Sequence, residues 1–224
     1  MATILEDSRF NPDQELKIVG TNPVKHDGPD KVTGKAKFGA DLFLPGMLMG
    51  KILRSPYPHA IIKSIDTSKA EALPGVKSVV TGADFPDLPL GTPGGDMTRN
   101  IMACEKVFYD GHPVAAVAAT SEPIAKRALK LIEVDYESLA SVTSTADAAK
   151  SGAPRIWDDC PDNVCFFHED GDKGAVDAAF AAADVVVSRR FVINRVTAAP
   201  MGPRGCIGDY DAALERYTIH TGGQ

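Results

Sequence analysis

Residues 113–137 read PVAAVAATSEPIAKRALKLIEVDYE and carry three patterns in succession. The first seven residues form a continuous apolar run, which is typical of a strand covered on both faces. Thr120 or Ser121 can cap a helix, and Glu122 and Pro123 suit the first turn of that helix. Apolar residues then recur at helical spacing, and the last five residues alternate like a strand. The stretch therefore predicts a strand, a helix and a second strand.

The mixture of helix and strand extends back to residue 31. Residues 1–30 contain Pro and Gly too often for a helix, so we expect an irregular N-terminal lead. Residues 85–101 are rich in Gly and Pro and are expected to form a loop. Between them, the residues after the Pro45-Gly46 turn predict a strand at 47–54, and β-branched runs predict strands at 61–66 and 76–81, with a short helix at 68–73. We expect an α+β fold.

A change of composition follows residue 137. Residues 140–163 are small and contain Gly and Pro, so we interpret them as a connection anchored by Trp157, the only tryptophan. The later pattern predicts an Ala-rich helix at 175–183, a strand at 184–193 and a hairpin with arms at 205–209 and 217–221. A strand in that last position requires a neighbour, and we interpret the end of the chain as a break inside a larger architecture.

Composition narrows the possible classes of protein. The chain has 224 residues, 44% of them hydrophobic and 24% charged, so one or two globular domains are expected. The net charge of −6 disfavours nucleic acid as a partner. We find neither an apolar run long enough for a membrane span nor a secretory signal, and we expect a cytoplasmic protein. Four cysteines without C-x-x-C spacing are expected to be free thiols, with no metal site.

The residues alone do not supply a complete set of catalytic groups. His59 and His112 precede or follow prolines in loops and are interpreted as structural, since none of the five histidines has ligand spacing. Asp135 and Glu137 share a strand face and are expected to be solvated carboxylates. The loop PMGPRGC at 200–206 leaves two interpretations open: Arg204 either faces an anionic ligand or forms a structural ion pair.

A series of ordered motifs resembles one enzyme family. The motifs are DKVTGKAKFGAD at 30–41, LPGM at 44–47, RSPYPHA at 54–60, IDT at 65–67, LPGV at 73–76, GHPVAAV at 111–117, LIEVDYE at 131–137 and RGC at 204–206. Together they resemble the N-terminal part of the molybdopterin-binding large subunit of the xanthine dehydrogenase, aldehyde oxidase and carbon monoxide dehydrogenase family. The resemblance covers residues 17–224.

The resemblance implies a domain order. Residues 31–137 would be the α/β hammerhead domain, 138–164 a linker, and 165–224 the incomplete start of the first molybdopterin-binding domain. Members of the family hydroxylate aldehydes or N-heterocycles with oxygen from water, or oxidise carbon monoxide. Their electrons pass through two [2Fe-2S] clusters to FAD, which are held on partner domains or on an iron–sulfur subunit and an FAD subunit.

The resemblance also implies site residues. Gln224, preceded by Gly222 and Gly223, would donate a hydrogen bond to a metal-bound oxygen at the molybdenum centre, and the two glycines let the backbone approach the cofactor. The catalytic Glu of the family and its later Gly-rich cofactor loop are not among these residues, and Gly202 stands where the family has Glu. We therefore expect no catalytic residue here and no activity without the remainder of the subunit. The alternative is a non-catalytic hammerhead interaction module or truncated remnant.

Overall fold

The computed structural model describes residues 16–86, 88, 101–194, 196–199, 202 and 204–222. It divides into two units, Pro45–Phe191 and the described parts of Met1–Leu44 with Val192–Gln224. The described helices and strands are α1 (Gly28–Val32), β1 (Met49–Arg54), β2 (Ala60–Asp66), α2 (Ser68–Glu71), β3 (Val76–Thr81), β4 (Lys106–Val107), β5 (Pro113–Ala119), α3 (Glu122–Leu129), β6 (Glu133–Ser138), α4 (Thr145–Ala148), α5 (Lys173–Ala182), β7 (Cys206–Asp211) and β8 (Arg216–Thr221).

The larger unit contains two antiparallel sheets of three strands. The first sheet has the order β1-β5-β3, and at its centre Val117 pairs with Lys51 on one side and Val79 on the other. The second sheet has the order β4-β2-β6, in which Ala60 pairs with both Val107 and Ser138. The α+β fold class and the strands predicted at 47–54, 61–66, 76–81 and 113–119 are confirmed.

β5 contributes to two hydrophobic cores. Val117 and its neighbours at 115 and 119 are buried against α3, where Ala125 and Ala128 are fully buried. Small alanines allow the helix to lie close to the sheet. Val114 belongs instead to the second core, with Ala60 of the second sheet. Both faces of the apolar run are therefore covered, as its composition predicts.

The structure differs from the sequence predictions at three places. The lead was expected to be irregular up to residue 30, but α1 begins at Gly28 because Pro29 lies in the first turn, where its missing N–H is not needed. The two-residue strand β4 was not predicted, because tertiary pairing with β2 creates it. The strand predicted at 184–193 was wrong: those residues belong to no strand. A β-branched run needs a paired neighbour to form a ladder. The loop predicted at 85–101 lies largely outside the described residues.

Trp157 anchors the connection formed by residues 140–163 to the end of β4. Its ring stacks on Phe108 with centroids 3.7 Å apart and planes at 16°. Beside it, Lys106 Nζ lies 3.0 Å from an Asp158 carboxylate oxygen. Asn163 Nδ2 donates hydrogen bonds of 3.0 Å to the carbonyls of Ala148 and Pro154. The predicted anchoring role of the tryptophan is confirmed.

An exposed ion-pair cluster at the start of α3 is expected to make the fold less stable at acid pH. Glu122 Oε1 lies 2.9 Å from both Lys51 Nζ and Lys126 Nζ. Their hydrogen bonds and charges lower the pKa of the Glu122 carboxyl from 4.5 to about 2. A carboxyl group whose pKa is lower in the folded chain than in the unfolded chain stabilises the fold at pH values above its unfolded pKa. That contribution is lost as the pH falls through the folded pKa.

Glu122→Gln is therefore expected to flatten the pH dependence of thermal stability between 4.5 and 2. The measurement is the melting temperature across this interval in low salt, where exposed pairs are least screened. Glu105→Gln is the control, since that exposed side chain forms no ion pair among the described residues. Parallel pH profiles for wild type and Glu122→Gln would contradict the expectation.

Candidate functional site

The hairpin of β7 and β8 carries the described end of the predicted cofactor segment. Its register runs from Cys206 opposite Thr221 to Asp211 opposite Arg216. Asp211 Oδ1 accepts backbone hydrogen bonds from Ala213 and Leu214 at 2.9 and 3.1 Å, which closes the turn. The predicted hairpin is confirmed, with both arms slightly longer than expected.

The open end of this hairpin brings together two motifs that are distant in the sequence. Thr221 Oγ1 donates a hydrogen bond of 3.4 Å to the Gly205 carbonyl. Arg204 directly precedes that glycine, and Gly222 directly follows the threonine. Gly205, which follows Arg204, and Thr221, which precedes the predicted cofactor segment, therefore lie beside each other at this end of the hairpin. Arg204 is exposed, and no ion pair to it is found among the described residues.

Of the three predicted cofactor-binding residues, Gly222 alone is described. Gln224 and Gly223 lie outside the described residues, so their predicted roles stay predictions. Gly222 is exposed, and a Cβ added there would meet nothing within 4 Å. The described residues thus form no enclosed polar cradle at this hairpin, and they do not by themselves fit a pterin cofactor. No chemical step is assigned to this chain alone.

The two histidines interpreted as structural are buried. His59 Nδ1 donates a hydrogen bond of 2.8 Å to the Ala140 carbonyl. His112 accepts a hydrogen bond from the Phe108 backbone N–H at 3.3 Å through Nδ1, and its ring stacks on Tyr109 with centroids 4.3 Å apart. These contacts tie both rings to the backbone or to an aromatic ring of neighbouring loop residues.

The carboxylates on β6 are also as expected. Asp135 and Glu137 are exposed, and Glu137 Oε2 lies 3.0 Å from Lys63 Nζ. The hydrogen bond and charge of Glu137 raise the pKa of the Lys63 ammonium. Neither carboxylate has the burial that a general acid requires at neutral pH.

Two family-like motifs are joined directly, a contact that the sequence pattern did not predict. Arg54 Nη1 donates a hydrogen bond of 2.9 Å to the Gly111 carbonyl. The Ser55 N–H donates to the His112 carbonyl at 2.9 Å, and the Gly111 N–H donates to the Ser55 carbonyl at 3.2 Å. RSPYPHA at 54–60 and GHPVAAV at 111–117 thus form one junction, whose role is to fix the loops that enter β2 and β5.

Metal and membrane signals are both missing from the described ranges. Within 16–86, 88, 101–194 and the later described residues, no group of three His, Cys, Asp or Glu side chains is placed to hold a metal ion. No helix of those residues is both long and apolar enough to span a bilayer.

Family models match two consecutive segments of the chain. Residues 33–140 match the a/b hammerhead domain of aldehyde oxidase and xanthine dehydrogenase. Residues 156–224 match the molybdopterin cofactor-binding domain. The order of the two segments is the order that the sequence motifs implied.

Curated relatives and solved structures agree with these matches. The carbon monoxide dehydrogenase large chain of Afipia carboxidovorans is 39% identical over 201 residues, covering 83% of this chain and 25% of that protein. The nicotinate dehydrogenase large molybdopterin subunit of Eubacterium barkeri is 34% identical over 200 residues, covering 88% and 46%. Quinoline 2-oxidoreductase from Pseudomonas putida 86 superposes with a TM-score of 0.76 at 33% identity, covering 90% and 26%.

This chain spans about a quarter of the length of the Afipia protein and of the quinoline enzyme. The matched parts share both fold and sequence well above the level at which similarity reflects fold alone. The chain therefore belongs to the xanthine dehydrogenase, aldehyde oxidase and carbon monoxide dehydrogenase family, and its two segments match part of that family's molybdopterin-binding large subunit.

Proposed function

We propose that the chain is the N-terminal portion of a molybdenum hydroxylase-type oxidoreductase and that it needs a further polypeptide for activity. The enzyme would hydroxylate aldehydes or N-heterocycles with oxygen from water, or oxidise carbon monoxide, in the cytoplasm. The observation that carries this proposal is the succession of hammerhead and molybdopterin-binding segments in one chain.

The proposal assigns a domain or a role to each segment of the chain. Residues 1–30 form the lead, 31–137 the hammerhead domain, 138–164 the linker, and 165–224 the incomplete start of the first molybdopterin-binding domain. Gln224, with Gly222 and Gly223, contributes to the molybdopterin site in the assembled enzyme. The [2Fe-2S] clusters and FAD belong to an iron–sulfur subunit and an FAD subunit.

The lengths of the relatives are compatible with large subunits made in pieces. Matches of 201 and 200 residues cover 25% of the Afipia protein but 46% of the Eubacterium protein. The second relative is therefore little more than half as long as the first. A large subunit in this family is not restricted to one chain length.

Reconstitution tests the proposal. The chain is co-expressed, in a host that makes the molybdenum cofactor, with the polypeptide that carries the rest of the large subunit and with both electron-transfer subunits. We expect molybdenum in the purified complex and dye-linked oxidation of an aldehyde, an N-heterocycle or carbon monoxide, and neither with the chain alone. An intact complex without molybdenum or activity would contradict the proposal.

Gln224→Leu tests the assigned site residue in the same complex. The leucine keeps the volume but removes the hydrogen-bonding amide, so we expect a loss of about tenfold to a thousandfold in kcat. Gly208→Ala is the control, since a Cβ at that hairpin position meets nothing within 4 Å. Full activity in Gln224→Leu would remove Gln224 from the site while leaving the family role intact.

The alternative is a non-catalytic hammerhead interaction module or truncated remnant. It is favoured by the two cores of the larger unit, whose residues all lie within 53–136, and by Gly202 in place of the Glu usual in the family. A Cβ at Gly202 would meet nothing within 4 Å, so packing does not explain the glycine. Failure of the chain to associate with the rest of the large subunit would support this alternative.

A further inference from the structure

The connection that follows β6 is folded around one asparagine side chain. Asn163 Nδ2 donates hydrogen bonds of 3.0 Å to the carbonyls of Ala148 and Pro154, and Asn163 Oδ1 accepts a hydrogen bond of 3.2 Å from the Ile156 N–H. The φ angle of Asn163 is 58°, in the left-handed region that asparagine tolerates better than most residues. We call residues 144–164 the strap. The amide of Asn163 holds the strap in its folded form.

Two cysteines lie on either side of that asparagine. Cys160 Sγ donates a hydrogen bond of 3.3 Å to the carbonyl of Val164, the residue directly before Cys165. The Cys160 thiol is half-buried and also lies 4.0 Å from Asp162 Oδ1, whereas Cys165 is exposed. Both cysteines are free thiols. One sulfur therefore lies against the peptide group that leads directly to the other cysteine.

Standard covalent geometry limits the distance between these two cysteines. A planar trans peptide places the Cys165 Cα atom about 2.8 Å from the Val164 oxygen, so Cys160 Sγ lies within about 6 Å of that Cα atom. The two Cα atoms are then at most about 9 Å apart, against about 4.4–6.8 Å in disulfides. A bridge therefore requires rotation of the exposed Cys165 side chain and a backbone shift of at most about 2 Å.

We propose that Cys160 and Cys165 form a reversible disulfide whose formation releases the strap. The oxidant is a hydroperoxide, with hydrogen peroxide as the simplest example. Cys165 is the more exposed thiol and meets the oxidant first. Its thiolate attacks one oxygen of the peroxide, the O–O bond breaks, and a sulfenic acid and hydroxide are formed.

The second step closes the bridge. The Cys160 thiol gives up its proton and its sulfur attacks the sulfenic sulfur of Cys165, so that the S–S bond forms, the S–O bond breaks and water leaves. In total the two thiols lose two electrons and two protons, and the peroxide is reduced to two molecules of water. This inference concerns the thiols of the chain itself and does not depend on the proposed function.

Bridge formation disturbs the contacts that close the strap. The Cys160 sulfur loses the hydrogen that it donates to the Val164 carbonyl. Asn163 lies inside the ring that the bridge closes, so the backbone shift draws its amide away from the carbonyls that it binds. The Cys160 N–H donates a hydrogen bond of 3.1 Å to the Trp157 carbonyl, and the Trp157 ring stacks on Phe108. The movement therefore reaches the anchor of the connection.

Peptide mass spectrometry of the full chain tests the bridge. The reduced chain is treated with an equimolar amount of hydrogen peroxide, alkylated without reduction and cleaved with trypsin, which leaves both cysteines in the peptide 156–173. We expect this peptide to be unalkylated and lighter by two hydrogen atoms, and dithiothreitol to reverse the change. Cys160→Ser and Cys165→Ser are each expected to abolish it. Cys104→Ser is the matched control, since Cys104 is an exposed free thiol outside the strap.

Fluorescence and hydrogen exchange test the release of the strap. Trp157 is the only tryptophan, so its emission reports on the stack with Phe108. In the oxidised wild-type chain we expect emission at longer wavelength and at least about tenfold faster exchange of the strap amides, with the amides of β5 unchanged. Cys165→Ser treated with the same peroxide controls for oxidation of the indole, and it is expected to keep the emission and exchange of the reduced chain.

Four results would overturn the inference. The first is a bridge formed mainly to Cys104 or Cys206, or between two copies of the chain. The second is oxidation of Cys160 and Cys165 to sulfinic acids without a bridge. The third is a bridge between Cys160 and Cys165 that leaves the emission and the exchange unchanged. The last is an equal change in peroxide-treated Cys165→Ser, which would assign the effect to damage elsewhere in the chain.

Discussion

Replacing Val117 by aspartate is expected to prevent the larger unit, Pro45–Phe191, from folding. Val117 is 1% exposed and lies at the centre of the first sheet, paired on both sides. The substitution removes about 2 kcal/mol of apolar burial and places an unpaired carboxylate in the core, which costs several kcal/mol more. Together these losses approach the whole stability of a typical domain, about 5–15 kcal/mol.

Circular dichroism and limited proteolysis measure the Val117→Asp effect. We expect loss of the cooperative thermal transition and rapid cleavage throughout the unit. Val187→Asp is the matched control, because Val187 is 76% exposed in the same unit and gains the same charge. A folded Val117→Asp chain with a normal melting temperature would show that the first sheet is not the core described above.

Gly82→Ala is expected to destabilise the larger unit by about 1–3 kcal/mol through overpacking. Gly82 opens the short 3₁₀ turn after β3, and a Cβ there would lie 2.8 Å from the Ala103 carbonyl oxygen and 2.9 Å from Cys104 Cα. These are backbone atoms, so no side-chain rotation relieves the contact. Ala103 is itself 1% exposed in the second core, which limits its movement.

Urea unfolding measures this loss, with Gly50→Ala as the control. A Cβ at Gly50 in β1 meets nothing within 4 Å, and its backbone is not in the left-handed region. The control is therefore expected to be neutral or slightly more stable, because alanine restricts the unfolded chain. Equal unfolding midpoints for the two variants would contradict the close backbone approach at Gly82.

Local patterns predicted the elements whose signals are complete within one segment. β5 and α3 were predicted because an apolar run, a cap and a helical period lie next to each other. The two-residue strand β4 has no such signal, since its conformation comes from pairing with Ala60 and Ile61. The reverse error occurred at 184–193, where the β-branched pattern is present but no strand lies beside it.

The candidate site could also be predicted only in part from local sequence patterns. Sequence pattern predicted the hairpin, and pairing of its arms explains why Gly205 meets Thr221. The role of Gln224 came only from family resemblance, because a lone amide after two glycines has no chemical signature of its own. The contact between Arg54 and Gly111 was not predicted because each motif, taken alone, is an ordinary loop.

The central position of β5 sets the order of events during synthesis. Both of its partners, β1 and β3, precede it in the chain. A ribosome therefore releases two outer strands before the strand that joins them has been made. The first sheet cannot close while translation is still upstream of residue 119, and the nascent chain carries unpaired strands up to that point. Slow codons or a pause just before β5 would lengthen this vulnerable interval, whereas both sheets can close once β6 has left the ribosome.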